Sequence, residues 1–320
     1  MQLSMRPCLE IYNHLSEEML TFARQLGVGD VAFRSPHLPG DRQWEFKDLL
    51  NARKAAEDAG LRLAAIENIP FEFYDKVMVG QPGRDEQIEH LAATIRNIGA
   101  AGIPVLHYHW MINYLWRTSL TTPTRGGAAG PSFDMELVKN APFTHGRQYT
   151  DDEVWANYEY FIKAIAPAAE EAGVTLALHP DDPPVPAIAG VARIFRNLES
   201  FKRVLAIVDS PAHSLDFCIG SWSSMGENVV EAIRYFGGKG KIALVHFRDV
   251  KGTPTKFQEV LLGEGNLNMF EVMKALKEVG YTGVLITDHV PHLIGDSEWD
   301  HRGNAWAIGY MSGLLAAVNS

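Results

Sequence analysis

The sequence predicts an α/β protein built as a closed (β/α)8 TIM barrel, and three observations predict it. Eight short runs rich in apolar and β-branched residues alternate with segments whose apolar residues recur every three or four positions. The runs are apolar on both faces, as strands of a parallel sheet covered by helices must be. Eight such units in 320 residues favour closure into a barrel over an open, doubly wound sheet.

In chain order the predicted strands are LSMRPCLEI, VGDVAFRS, LRLAAIEN, IPVLHYHW, VTLALHP, HSLDFC, KIALVHF and GVLITDH. Between them EEMLTFARQLG, EQIEHLAATIRNIG, NVVEAIRYF and MFEVMKALKEVG carry the apolar stripe of amphipathic helices. No low-complexity tract or charge block marks a linker, so residues 1–320 are read as a single barrel domain. Residues 111–150, after the fourth strand, exceed an ordinary connection and contain TTPTRGGAAGPS. They also carry Trp116, Arg117, Arg125, His145 and Arg147. We read them as a lid-like insertion supplying cationic contacts, against the plainer alternative of a solvated surface insertion.

A hydrophobic content of 46% provides for a large core. The net charge of -10 and a pI near 5.6 disfavour a nucleic-acid partner. No run approaches the ~20 apolar residues of a membrane span. The stretch MQLSMRPCLEIYNHL lacks the charged head and apolar centre of a signal peptide. The expectation is a cytoplasmic protein that assembles as a homo-oligomer, with Cys8 and Cys218 unpaired.

Barrel chemistry sits at the carboxyl ends of the strands. There the fifth to eighth runs place His179, Cys218, His246 and Asp288. Singly, a strand-end histidine is most often a hydrogen-bonded structural residue, and a lone cysteine a small buried hydrophobe. Four ligand types on four consecutive strands instead suggest one divalent metal, and two imidazoles, a thiolate and a carboxylate taken alone suggest Zn²⁺. Cys8 has no such companions and is assigned to the core. In HPDDPP, Asp181 and Asp182 can orient His179 or its neighbours, or serve as a base, while Pro183 and Pro184 stiffen the turn. His289, next to Asp288, is a candidate for proton transfer, and Arg248 for an anionic substrate.

The stretches GLRLAAIENIP, GQPGRDEQIEHL, YLWRT, LALHPDDPP, VDSPAHSLDFCIGS, VHFRDVKG, TDHV and AWAIGYMSGLLAAV resemble the mannonate dehydratase family almost end to end. The resemblance implies conversion of D-mannonate to 2-keto-3-deoxy-D-gluconate, a step of hexuronate catabolism. It implies His179, Cys218, His246 and Asp288 as ligands of Mn²⁺, with Zn²⁺, Co²⁺ or Fe²⁺ as other candidates. The metal would bind the carboxylate end of the sugar acid and stabilise the enediolate formed when the C2 proton leaves. The family's Asp-His pair matches Asp288 and His289, which makes both catalytic candidates beside Asp181 and Asp182. Glu67 and Arg117 occupy family pocket positions, and Tyr108, Arg147 and Arg248 complete the expected substrate contacts. The chain departs from the family pattern at Pro7, Phe71-Glu72, His109, Gln258 and around Asp288-His289, so the expected metal cage matches while much of the substrate shell differs. Two alternatives follow: a metal-dependent isomerase or epimerase of the same xylose-isomerase-like barrel type, and a catalytically silent protein that binds metal and sugar acid.

Overall fold

The computed structural model describes residues 4–320, so Leu3 and the first residues of the N-terminal stretch lie outside the described residues. Strands β1 (Arg6–Tyr12), β2 (Asp30–Arg34), β3 (Arg62–Glu67) and β4 (Val105–Tyr108) alternate with helices α1 (Glu17–Gln25), α2 (Phe46–Asp58), α3 (Asp75–Met78) and α4 (Arg84–Ala100). The insertion contributes β5 (Ser119–Pro123) and β6 (Ala129–Asp134) before α5 (Asp151–Ala172) leads to β7 (Thr175–Leu178). There follow β8 (Ala187–Ile188), β9 (Val191–Ala192), α6 (Leu198–Ile207), β10 (His213–Asp216), α7 (Ile219–Ser224) and α8 (Val229–Gly237). The chain ends with β11 (Ile242–His246), β12 (Asp249–Thr253), β13 (Lys256–Val260), α9 (Met269–Glu278), β14 (Val284–Ile286) and α10 (His301–Asn319).

β1, β2, β3, β4, β7, β10, β11 and β14 close into a parallel barrel, and each coincides with one of the eight predicted runs, β1 extending one residue beyond its run to Tyr12. The fold is a TIM barrel. Its helices start where local chemistry starts them. At α5 the Thr150 side chain accepts from the Glu153 backbone while the Glu153 side chain accepts from that of Thr150, a capping box written as T-D-D-E. Among the described residues no helix is long and apolar enough to cross a membrane.

Strand periodicity builds the site. The lower barrel interior is a small apolar layer of Cys8, Ala32, Ala65, Ala177, Leu244 and Ile286, with Cys8 in the core as expected. Side chains two residues apart on a strand share a face. One step up, these same strands therefore present Glu10, Arg34, Glu67, His179, His246 and Asp288, while β4 adds His107 after Val105 and β10 adds Asp216. The apolar layer closes the barrel below, and the titratable groups stand on it.

Residues 111–150 are not a structureless loop. β5 and β6 join β12 and β13 in a four-stranded antiparallel sheet ordered β12-β13-β6-β5. Phe133 and Phe257 pack across it with Val185, Ile188 and Val250. The insertion after the fourth barrel strand is thus tied to the one after the seventh, and their shared sheet stands over the barrel mouth.

Candidate active site

At the mouth, buried donor atoms converge without satisfying one another. His246 Nδ1 lies 3.1 Å from Asp216 Oδ2 and 3.7 Å from Asp288 Oδ2. His107 Nε2 and His179 Nε2 lie 3.3 and 3.8 Å from Asp216 Oδ2. Yet His107 Nε2, His246 Nδ1 and both Asp216 carboxylate oxygens have no hydrogen-bond partner. Buried polar atoms left in this state cost free energy unless something else binds them. Ligands about 2.1 Å from one divalent cation lie roughly 3.0 Å apart when at right angles and up to about 4.2 Å when opposed. The separations above fit that range, so the residues fit a divalent cation.

Three donor sets share His246: one is His107, His179, Asp216 and His246, the second Cys218, His246 and Asp288, and the third, on its Nε2 side, Glu10, Glu67 and His246. The four residues expected from the strand ends therefore gather around His246, but His179 groups with His107 and Asp216, whereas Cys218 and Asp288 form a separate set with His246. His246 is itself oriented, since its Nε2 hydrogen-bonds to Glu67 at 3.0 Å and turns Nδ1 toward the donors. Glu67, expected to touch substrate hydroxyls, supports a donor instead. Burial pushes Glu67 up to about 8 against the pull of His246, and burial likewise raises Asp216. Burial holds His179 down at about 4, the neutral form a ligand needs.

Beside the donors lies an ionic network. Asp182 takes both terminal nitrogens of Arg117, at 2.8 and 2.6 Å, and Arg248 Nη2 at 2.7 Å. Arg117 also binds Glu259, with Nε at 3.0 Å. Arg248 Nε reaches Asp288 Oδ2 at 2.6 Å. Arg34 joins Glu10 at 2.7 Å to Asp288 at 2.9 Å. Burial favours protonation of Asp182, but Arg117 and Arg248 outweigh it and hold the carboxyl below its usual range. Burial also opposes charge on Glu259, and His289, Arg117 and Arg248 hold it far below the usual value.

His289 faces this network. Its Nδ1 is 3.1 Å from both Glu259 oxygens, and its Nε2 lies 3.6 Å from Asp288 Oδ1 and 3.4 Å from Arg34 Nη2. Burial lowers its pKa, but Asp288 and Glu259 raise it further, so the net shift is upward. The Asp288 backbone is left-handed, φ 51°. That is unusual for a residue with a Cβ, and it turns the chain so that Asp288 and His289 both line one pocket. The His289 side chain keeps 20% of its exposure against 2% for Asp288. A proton can therefore reach it.

Three expectations are corrected by geometry. Tyr108 follows His107 on β4 and so faces away from the axis, where its hydroxyl meets that of Tyr158 at 3.0 Å among helix-layer side chains. Arg147 is exposed, bound to Glu153 at 2.9 Å and stacked over Tyr149, outside the pocket. Asp181 accepts from the Phe195 backbone at 2.6 Å and lies 3.5 Å from Arg193, so it fixes its own loop and does not point at the donors. Arg125 and His145 of the insertion are also outside the pocket, Arg125 paired with Glu264. Sequence reasoning missed His107, Asp216, Arg34, Glu10 and Glu259. For the first four, the two-residue alternation along each barrel strand was the available signal.

A family model described as D-mannonate dehydratase (UxuA) matches residues 5–148 and 138–320. The mannonate dehydratase of Streptococcus pneumoniae (strain 70585) is 34% identical over 287 residues, covering 81% of this chain and 78% of that protein. The crystal structure of mannonate dehydratase from Streptococcus suis serotype2 superposes with a TM-score of 0.90 at 31% identity, covering 98% of this chain and 93% of that one. A xylose isomerase domain protein from Planctomyces limnophilus shares the fold alone, with a TM-score of 0.66 at 16% identity over 100% of this chain and 99% of that one.

Proposed function

This chain belongs to the mannonate dehydratase family, and from that premise we propose that it removes water from D-mannonate to give 2-keto-3-deoxy-D-gluconate at the barrel mouth. The observation that carries the reading is the set of buried, unpartnered donors of His107, Asp216 and His246, standing next to the Asp288-His289 pair. His107, His179, Asp216, Cys218, His246 and Asp288 are the residues that would hold the cation. We favour Mn²⁺, supported by the family and by two carboxylates among the donors, since manganese prefers oxygen more than zinc does. When bound, the cation supplies Lewis-acid stabilisation of negative charge at the carboxylate end of the acid.

The C2 proton and the C3 hydroxyl leave as one water: His289 takes the proton from C2 and, so protonated, gives it to the departing hydroxyl, and the resulting enol becomes the 2-keto acid. His289 is the proton-transfer group. Glu259 accepts from its Nδ1 and leaves Nε2 toward the pocket, and the neighbouring carboxylates favour the protonated ring, ready to give a proton to the departing hydroxyl. Asp182 and Glu259 already neutralise Arg117, which makes it a support of the pocket wall. Arg248 is likewise held by Asp182 and Asp288 with 2% of its side chain exposed, whereas Arg34 lines the pocket itself with 13% exposed and is the cationic side chain an incoming anion meets. Assembly as a homo-oligomer is also part of the proposal.

The test is to strip the protein with a chelator, add back Mn²⁺, Zn²⁺, Co²⁺ or Fe²⁺ singly, and incubate it with a panel of sugar acids. The expected result is a 2-keto-3-deoxy product from D-mannonate that depends on added cation and is greatest with Mn²⁺. An epimerised or isomerised acid without loss of water would make the protein an isomerase of the same barrel type. Cation and acid binding without turnover would make it a sensor.

A further inference from the structure

The pocket that directly contains the donors and His289 has a volume of only about 20 Å3, bounded by Arg34, Met111, Tyr114, Leu115 and His179 among others. That space holds little more than one water. A second cleft of about 400 Å3 opens beside it, between Tyr12, Asn13, Leu120, Pro131, Trp299 and Asn304. Leu115, Asp288 and His289 line both spaces. Leu115 is therefore an apolar wall common to the two spaces, and an acid whose carboxylate end reaches the cation donors must extend past it into the cleft.

We propose that the cleft is the seat for the distal end of the substrate chain, and that it admits monocarboxylic sugar acids extended beyond six carbons at that end. The inference rests on the dehydratase reading of the adjoining site. With its carboxylate end among the cation donors and C2–C3 beside His289, an acid can continue only past Leu115 into the cleft. Beyond C3 a six-carbon acid has three carbons and three oxygens. At roughly 10–15 Å3 of such space per water-sized atom they take about 60–90 Å3, under a quarter of the cleft. The unused space is walled by Leu115, Leu120, Pro131 and Trp299, surfaces that suit the C–H faces of a polyol or a further sugar ring. Glu298 and Asp300 stand at the same cleft, while its cationic side chains are already paired, Arg117 with Asp182 and Glu259, and His289 with Glu259 and Asp288. A neutral extension is accepted there, and a second carboxylate is repelled.

The test compares kcat/KM for D-mannonate, a seven-carbon aldonate of the same C2–C5 configuration and the six-carbon diacid, using Mn²⁺-loaded wild type and Leu120→Trp, which fills the cleft from its exposed rim. Titration calorimetry measures Kd for the same acids. The seven-carbon acid is expected within about tenfold of mannonate in the wild type, and the diacid at least about tenfold worse. Leu120→Trp is expected to lower the seven-carbon to six-carbon ratio by about tenfold or more. A ratio unchanged by Leu120→Trp, or a diacid used as well as mannonate, overturns the proposal. If no acid is turned over, the dehydratase reading fails, and the Kd ratios alone decide on the cleft by the same criteria.

Discussion

Arg117 lies with its guanidinium between the carboxylates of Asp182 and Glu259 and over the ring of Phe257, with only 3% of its side chain exposed. Removing one partner of a buried ion pair leaves the other charge uncompensated. Arg117→Ala is therefore expected to cost about 3–5 kcal/mol of stability, read from chemical denaturation. A variant as stable as wild type but with a raised KM would return Arg117 to direct carboxylate binding. His289 belongs to the chemistry. His289→Ala is expected to keep its cation content and lose about 10²–10⁴-fold in kcat. Loss of cation together with rate would make it a ligand or a ligand's support. Legibility at this scale followed strand alternation. His179, Cys218, His246 and Asp288 were visible as ligand-type residues at the ends of their runs. Asp216 was hidden because Cys218, two positions on, ended the same run, and Tyr108 was misplaced because its neighbour His107 takes the inward direction. Glu259 was visible only as the retained second residue of the family's His-Glu pair, which here reads Gln258-Glu259, and its role arises from contacts with Arg117 and His289, distant in sequence.

At the scale of elements, the sheet of β5, β6, β12 and β13 decides where Glu259 stands. Gly130 on β6 makes this close approach possible, because a Cβ there would lie 2.4 Å from the backbone oxygen of Glu259. Gly130→Ala must therefore push β6 and β13 apart, and the displacement falls on the carboxylate that orients His289 and Arg117. The expected outcome is a loss of about 1–3 kcal/mol in stability, typical of overpacking, together with a fall in kcat that exceeds any change in cation content. An unchanged kcat would show that the sheet does not position the catalytic histidine. These four strands were not legible. TTPTRGGAAGPS carries the Gly and Pro of a loop, β12 reads as DVKGT, and neither has the two-residue alternation of a half-buried strand. The two hairpins join only through segments more than a hundred residues apart, Lys256 opposite Asp134 and Gln258 opposite Ser132. Local pattern cannot carry that information, whereas the barrel strands are buried on both faces and so announce themselves.

The molecule as a whole encloses a dense ionic network inside a chain of net charge -10, and its stability depends on pH through that network. Asp182 and Glu259 are both held below the usual carboxylate range, against burial, by Arg117 and Arg248, and for Glu259 first by His289. A carboxyl whose folded pKa lies below its unfolded value binds more protons when unfolded. Its contribution is then complete above the unfolded value of about 4 and is lost as pH falls from there toward the depressed folded value. Wild type is accordingly expected to lose stability as pH falls from roughly 5 to 3. The barrel closure, legible in eight apolar runs, accounts for the core, but not for this acid limb, which depends on charges brought together from β2, β13 and the loops after β4, β7, β11 and β14. Glu259→Gln separates the two. Denatured at a series of pH values in the presence of chelator, the variant should start lower near neutral pH, where Arg117 and His289 lose a partner, and then fall less steeply in acid. Because glutamine cannot titrate, any share of the acid limb owed to Glu259 must vanish with it. Acid limbs of equal slope in the two proteins would place the proton-linked stability elsewhere in the molecule.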